Sequence, residues 1–138
     1  MQPALIRRSA GDEAGAATAS FVVVFPVVVV MFMALVQWGL RFHAQSLLDA
    51  AAQDATRAAQ ALDGTSDEGR EVAANLLGDA LASGLLTDVD VDVAEEAGSV
   101  RTVVRAQVRS LVPLPGFAGT LEGISEAPKE SFVAGGAR

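Results

Sequence analysis

Residues 15–39 read GAATASFVVVFPVVVVMFMALVQWG and contain no charged side chain. With its flanks the uncharged run extends over 27 residues, from Ala14 to Leu40, between Glu13 and Arg41. As a helix it would reach about 40 Å, against a hydrocarbon core of about 30 Å. A single spanning segment must be helical, because no water inside a bilayer can satisfy a broken backbone. Valine is a poor helix former in water, but lipid removes its alternatives. Pro26 removes one backbone hydrogen bond and is expected to bend the helix. A cleaved secretory signal has a shorter apolar region, about 7 to 15 residues, and a small-x-small site. The residues that close this run, Gln37, Trp38 and Gly39, do not make such a site. The run reads as a retained membrane anchor.

Charge is segregated from that anchor. The chain of 138 residues has a net charge of −7, and residues 41–138 account for all of it, with eight Lys/Arg against fifteen Asp/Glu. Phosphate backbones need clustered cations, so nucleic acid is excluded as a partner. There is no cysteine, hence no disulfide, thiolate metal site or cysteine nucleophile. Arg7 and Arg8 before the run outnumber Arg41 after it, which places the N-terminus in the cytoplasm and the C-terminal module outside. Trp38 and Phe42 are expected at the outer interface as aromatic anchors.

The helix is expected to continue beyond the membrane. HAQSLLDAAAQDATRAAQAL (43–62) lacks Gly and Pro, and Phe42, Leu48, Ala52, Ala55, Ala59 and Leu62 recur at helical spacing. Asp49, Gln53, Arg57 and Gln60 take the opposite face. Asp63-Gly64 ends the helix, with Gly64 in the left-handed conformation. Thr65 and Glu68 have capping-box spacing and open a second helix to about Ser83, with Val72, Leu76, Ala80 and Leu81 inward and Gly84 closing it. DVDVDV (88–93) alternates, EEAGS turns, and VRTVVRAQVRS alternates again, which is a hairpin signal. Pairing Val93 with Val100 sets Asp92 against Arg101 and Asp88 against Arg105, a charge ladder on the wet face. Valines 89, 91, 100, 104 and 108 form the other face, and the alanine stripe of the long helix is their cover. After Pro113 and Pro115 the chain reads as irregular, with a short edge strand in GISEAPKESFVAGGAR and a loose end.

The expected fold is therefore α+β: a long N-terminal helix, transmembrane then amphipathic, packed on a small module of one further helix and an antiparallel hairpin or sheet. The divisions are a cytoplasmic leader (1–13), a transmembrane helix (14–40), its amphipathic continuation (41–62) and an extracytoplasmic module with an irregular tail (63–138).

Chemistry-bearing constellations are sparse. Asp88, Asp90 and Asp92 have the spacing that opens a calcium loop, but Val93 stands where the loop needs glycine and the alternation says strand. His43 is the single histidine and has no second ligand beside it in sequence. Ser46 lies one turn from His43 without an orienting acid or a nucleophile elbow. No enzyme, cofactor or metal is expected.

GAATASFVVVFP resembles the N-terminal signature of the TadE-like pseudopilins, minor pilins of tight-adherence pili and related secretion systems. Gly15, Ala16, Ala17, Thr18, Phe21 and Pro26 carry the likeness, and Gln37-Trp38-Gly39 and LLDAAAQDATRAAQAL extend it. GISEAPKESF resembles the short strand that ends such domains. The resemblance implies a pilin-like fold, processing between Gly15 and Ala16, and helix assembly through residue 20, Phe21 and Pro26. It implies as partners other pilin-like subunits, polytopic platform proteins, a prepilin peptidase and the bilayer. Ser20 departs from the pattern, which usually has Glu there. In pilin-type proteins that acid pairs with a neighbour's N-terminal amine; with Ser20 the pairing is lost and insertion is easier. The alternative reading is a membrane-tethered exported binding module with no pilus role.

The anchor reading has a direct test. Val29→Arg should raise the cost of insertion by about 2.5–3.5 kcal/mol, seen as a shift from membrane to soluble fraction after carbonate extraction. Wild-type protein in the soluble fraction would overturn it.

Overall fold

A computed structural model describes residues 9–110 and 119–129, with side chains for all of these except residues 9–14, 16 and 17. Arg7 and Arg8, the segment around Pro113 and Pro115, and the tail after Lys129 lie outside the described residues. Five elements follow one another: α1 (Ser9–Gln60), α2 (Ser66–Ala82), β1 (Leu86–Glu96), β2 (Ser99–Val108) and β3 (Thr120–Pro128). This is the expected α+β arrangement of a long helix, a second helix and an antiparallel sheet in the order β1-β2-β3. The chain forms two compact units, Met1–Val36 and Gln37–Arg138, and α1 contributes to both.

In the first unit α1 runs through Pro26 without interruption. Every described side chain from residue 18 to residue 33 is exposed, although nearly all are apolar. The second unit has a core built mostly from small residues. Ala44, Leu48, Ala51, Ala52, Ala55 and Ala59 of α1 are fully buried. The first five meet Ala73 and Leu77 of α2, Leu86 of β1, and Val104, Ala106 and Leu121 of the sheet, while Ala59 packs with Val93 and Val100. Leu62, grouped by its spacing with the buried alanines, is 56% exposed, and Phe42, expected as an interfacial aromatic, is 68% exposed. Phe42 stacks on Trp38 along the outer side of the helix, and Leu62 lies past its end. The buried face of α2 is Gly69, Ala73, Leu77 and Ala80; Leu81, expected inward, is exposed. The buried face of α2 thus sets Leu77 among small residues.

Small residues are needed because backbones touch. A Cβ on Gly123 of β3 would lie 2.5 Å from the backbone C and O of Leu48. A Cβ on Gly69 would lie 2.9 Å from the carbonyl of Ala55 and 3.3 Å from the Cβ of Ala59. Gly64 is not in the left-handed region, contrary to expectation. It is glycine for a different reason: a Cβ there would collide with the carbonyl of Ala58. The start and end of α2 match their sequence signals. Thr65 and Glu68 form a reciprocal capping box. At the C-terminus Gly84 (φ 72) donates to Leu81 and Leu85 donates to Ala80, a Schellman pair.

The hairpin register departs from expectation by two residues. Glu96 pairs with Ser99 across Ala97-Gly98, and Gly98 (φ 94) supplies the left-handed residue that lets two residues close the turn. The strands therefore extend through Glu95 and Glu96, which the sequence reading assigned to the turn. A shift of two keeps each side chain on its own face, so the valine and charged faces survive, but every partner changes. A bulge sets Asp88 and Val89 opposite Ala106, with Asp88 at φ 50, a conformation that Asp tolerates better than most residues.

Two glycines should respond oppositely to one methyl group. Gly123→Ala should cost about 1–3 kcal/mol, the range for overpacking a close contact. Gly78 of α2 has nothing within 4 Å of its Cβ position, and Gly78→Ala should stabilise by up to about 1 kcal/mol. Denaturant unfolding of the full chain in detergent, followed by circular dichroism, checks both signs.

Candidate assembly surface

Gly15, Ser20, Phe21 and Pro26 all lie on α1 in the first unit, exposed. Ala16 is in the same helix, and its side chain is outside the described set. Gly15, Thr18, Ala19 and Val22, at spacings of three and four, line one shallow groove. Phe21 and Phe25 stack with ring centroids 5.4 Å apart, one turn apart along the helix. A nearly wholly apolar, exposed helix surface of this length must be covered in a water-soluble fold. Lipid or other apolar helices are the environments it suits, and small residues let neighbouring helices approach closely.

The charge ladder expected from Asp88, Asp92, Arg101 and Arg105 is not formed as paired. Asp92 lies opposite Val103, and Arg101 opposite Ala94 on one side and Glu126 on the other. Asp88 is displaced by the bulge, and Asp90 takes its place opposite Arg105. Arg105 bridges two strands, with Nε 3.1 Å from Glu122 and a guanidinium nitrogen 4.0 Å from Asp90. These groups are solvated, and such pairs contribute at most about 1 kcal/mol each. Among the described residues no three His, Cys, Asp or Glu side chains are grouped as metal ligands. His43 lines a cleft of about 410 Å³ with Leu47, Leu76, Asp79, Ala80, Ser83 and Leu85, and no nucleophile–base pair is formed there.

Two contacts that join distant parts of the module carry no local sequence signal. Gln37, only 3% exposed, donates through Nε2 to the Ser110 hydroxyl at 3.0 Å, tying the start of the module's part of α1 to the end of β2. Glu95 accepts from Lys129 Nζ at 2.6 Å and from the Ser66 hydroxyl at 3.0 Å. The Lys129 backbone also donates to the Gly98 carbonyl. That cluster joins the start of α2, the β1–β2 hairpin and the end of β3. Lys129 first, then Ser66, holds the Glu95 carboxyl below the usual range.

The uncharged and the small-residue halves of α1 together match a known family. Residues 15–57 are similar to the TadE-like protein family. The match begins at Gly15, the residue of the expected processing step, and ends within the buried stretch of α1. The TadE-like family is a structural family of the pilus apparatus, not an enzymatic one. No match to the chain was found among curated proteins, nor among solved structures. The TadE-like segment comprises the exposed helix half together with the helix face on which the sheet and α2 are laid.

The Glu95 cluster should be visible as a pH dependence. Because its carboxyl is held low in the folded chain, the unfolded chain binds the extra proton. The stabilisation is present above the unfolded value, about 4.3, and is lost as pH falls through the folded value. Glu95→Gln should lower the melting temperature at pH 7, and the gap from wild type should close in more acidic solution. A gap independent of pH would show that Glu95 acts by packing alone.

Proposed function

We propose that this chain is a bitopic, minor-pilin or pseudopilin-like component of a Tad-type pilus or a related secretion or assembly apparatus. The observation that carries the reading is the coincidence of the TadE-like match with a helix whose described side chains from residue 18 to residue 33 are all exposed and nearly all apolar. The role is structural: the helix anchors and packs in the membrane, and the module offers its surfaces to partner subunits. No catalytic step is assigned to it. The arginine count around the uncharged run supports a cytoplasmic N-terminus and an extracytoplasmic module. Its partners are other pilin-like subunits, the polytopic platform and a prepilin peptidase acting between Gly15 and Ala16.

Ser20 sets this chain apart within that role. A carboxylate at this depth is costly unless it is partnered, and the partner in a pilin is a neighbour's amine. The Ser20 hydroxyl can return to the carbonyl of its own helix four residues back, as Ser does in apolar helices. The chain then inserts without an identical neighbour and suits an assembly or priming position better than the repeating body of a fibre.

Co-expression with a prepilin peptidase separates these roles. Ser20→Glu should insert less well alone and give more crosslinked multimers when processed, while wild type gives few. Crosslinking and the mass of the native N-terminus read both. Wild-type protein cleaved after Gly15 and polymerising as readily as the variant would make it an ordinary fibre subunit. Membrane residence with no crosslink to any pilin-like subunit or platform protein would favour a tethered binding module instead.

A further inference from the structure

The module is acidic, and four of its cations are neutralised in ion pairs among the described residues. Arg57, Arg70, Arg105 and Lys129 are in ion pairs with Asp54, Asp67, Asp90 and Glu122, and Glu95 respectively. Among the described residues the side chains of Arg101 and Arg109 make no ion pair. Arg101 stands on the outer face of the sheet. Arg109 follows β2, its backbone donating to Leu85, and lines a cleft of about 460 Å³ with Leu40, Ser83, Gly84, Leu85 and Ser110. One of its terminal guanidinium nitrogens lies 3.3 Å from the position a Cβ on Gly84 would take, so a side chain there would crowd the arginine.

The level of this cleft follows from two residues of the uncharged run. Gln37 lies within that run and is bonded to Ser110, the neighbour of Arg109. Leu40, the last residue of the run, is part of the cleft lining. With a bilayer boundary at the end of the run, Arg109 stands at headgroup depth, beside apolar surface from Leu40 and Leu85. A guanidinium matches a phosphate through two parallel N–H donors, and a basic side chain near an anionic leaflet is attracted to it. Elsewhere the module's negative charge opposes such a surface. We propose that this cleft seats an anionic phospholipid, with its phosphate on the Arg109 guanidinium and its glycerol and acyl end against Leu40 and Leu85. This rests on the membrane-anchor reading. It would hold the module against the membrane at one defined side.

Native mass spectrometry of the full chain, released from detergent carrying equal amounts of phosphatidylglycerol and phosphatidylcholine, tests this. Wild type should retain phosphatidylglycerol preferentially. Arg109→Gln should reduce that preference about fivefold, the factor for one basic side chain near an anionic surface. Arg109→Lys should keep most of it, and Arg101→Gln all of it. Unchanged preference in Arg109→Gln, or an equal loss in Arg101→Gln, overturns the proposal. A phosphate adduct formed with inorganic phosphate alone, with no preference between the lipids, would assign the cleft to a free anion and overturn the lipid. Carbonate extraction in parallel separates the two levels. A membrane-resident chain without lipid preference defeats the cleft alone, while a soluble chain defeats the anchor as well.

Discussion

Backbone contact between α1 and its covering elements is the constraint on which the module depends. At Gly123 and Gly69 no side chain separates α1 from β3 or α2, and the α1 face between them is almost wholly alanine. Each alanine buries little apolar area, so the few larger side chains, Leu48, Leu77 and Leu86, carry a disproportionate share of the hydrophobic term. What the small residues contribute is proximity. Gln45 accordingly reaches the carbonyl of Glu122 in β3 at 2.8 Å, and the Thr56 hydroxyl reaches the Ser125 carbonyl at 3.5 Å. A face built of leucines would hold the sheet away and break these bonds.

The same small-residue chemistry runs through the TadE-like segment, but its meaning differs between the two units. In the module it brings α1 onto protein. In the first unit Gly15, Thr18, Ala19 and Val22 line an open groove, on a helix whose described side chains from residue 18 to residue 33 are all exposed. Both halves belong to α1, and the change of environment falls where charge returns to the chain, near Gln37 to Arg41. One half of α1 is thus left to apolar neighbours and the other is committed to its own fold.

Elements whose cause lies within a few residues were legible in the sequence. The uncharged run, the capping box at Thr65 and Glu68, the glycine stop at Gly84 and the alternation of β1 and β2 all appear in the structure. The likeness of residues 15–57 to TadE-like proteins was legible too, because a signature is local. Register was not, since it depends on whether Gly98 allows a two-residue turn, and alternation survives a shift of two unchanged. Nor was the inward face of α2, where hydrophobic size pointed to Leu81 while close approach selected Gly69 and Ala73. Gln37–Ser110 and Glu95–Lys129 join residues 73 and 34 positions apart, and no window along the chain contains both partners.

The place of β3 in the sequence sets a temporal order. Its Glu122 carbonyl bonds to Gln45, 77 residues earlier, and its Gly123 lies on Leu48. At about 5–20 residues per second of synthesis, the long helix waits roughly 4 to 15 s before the strand that completes its cover has been made. Over that interval the Leu48 backbone lacks the strand that lies on it. The uncharged run from Ala14 to Leu40 is thus complete well before the module can close.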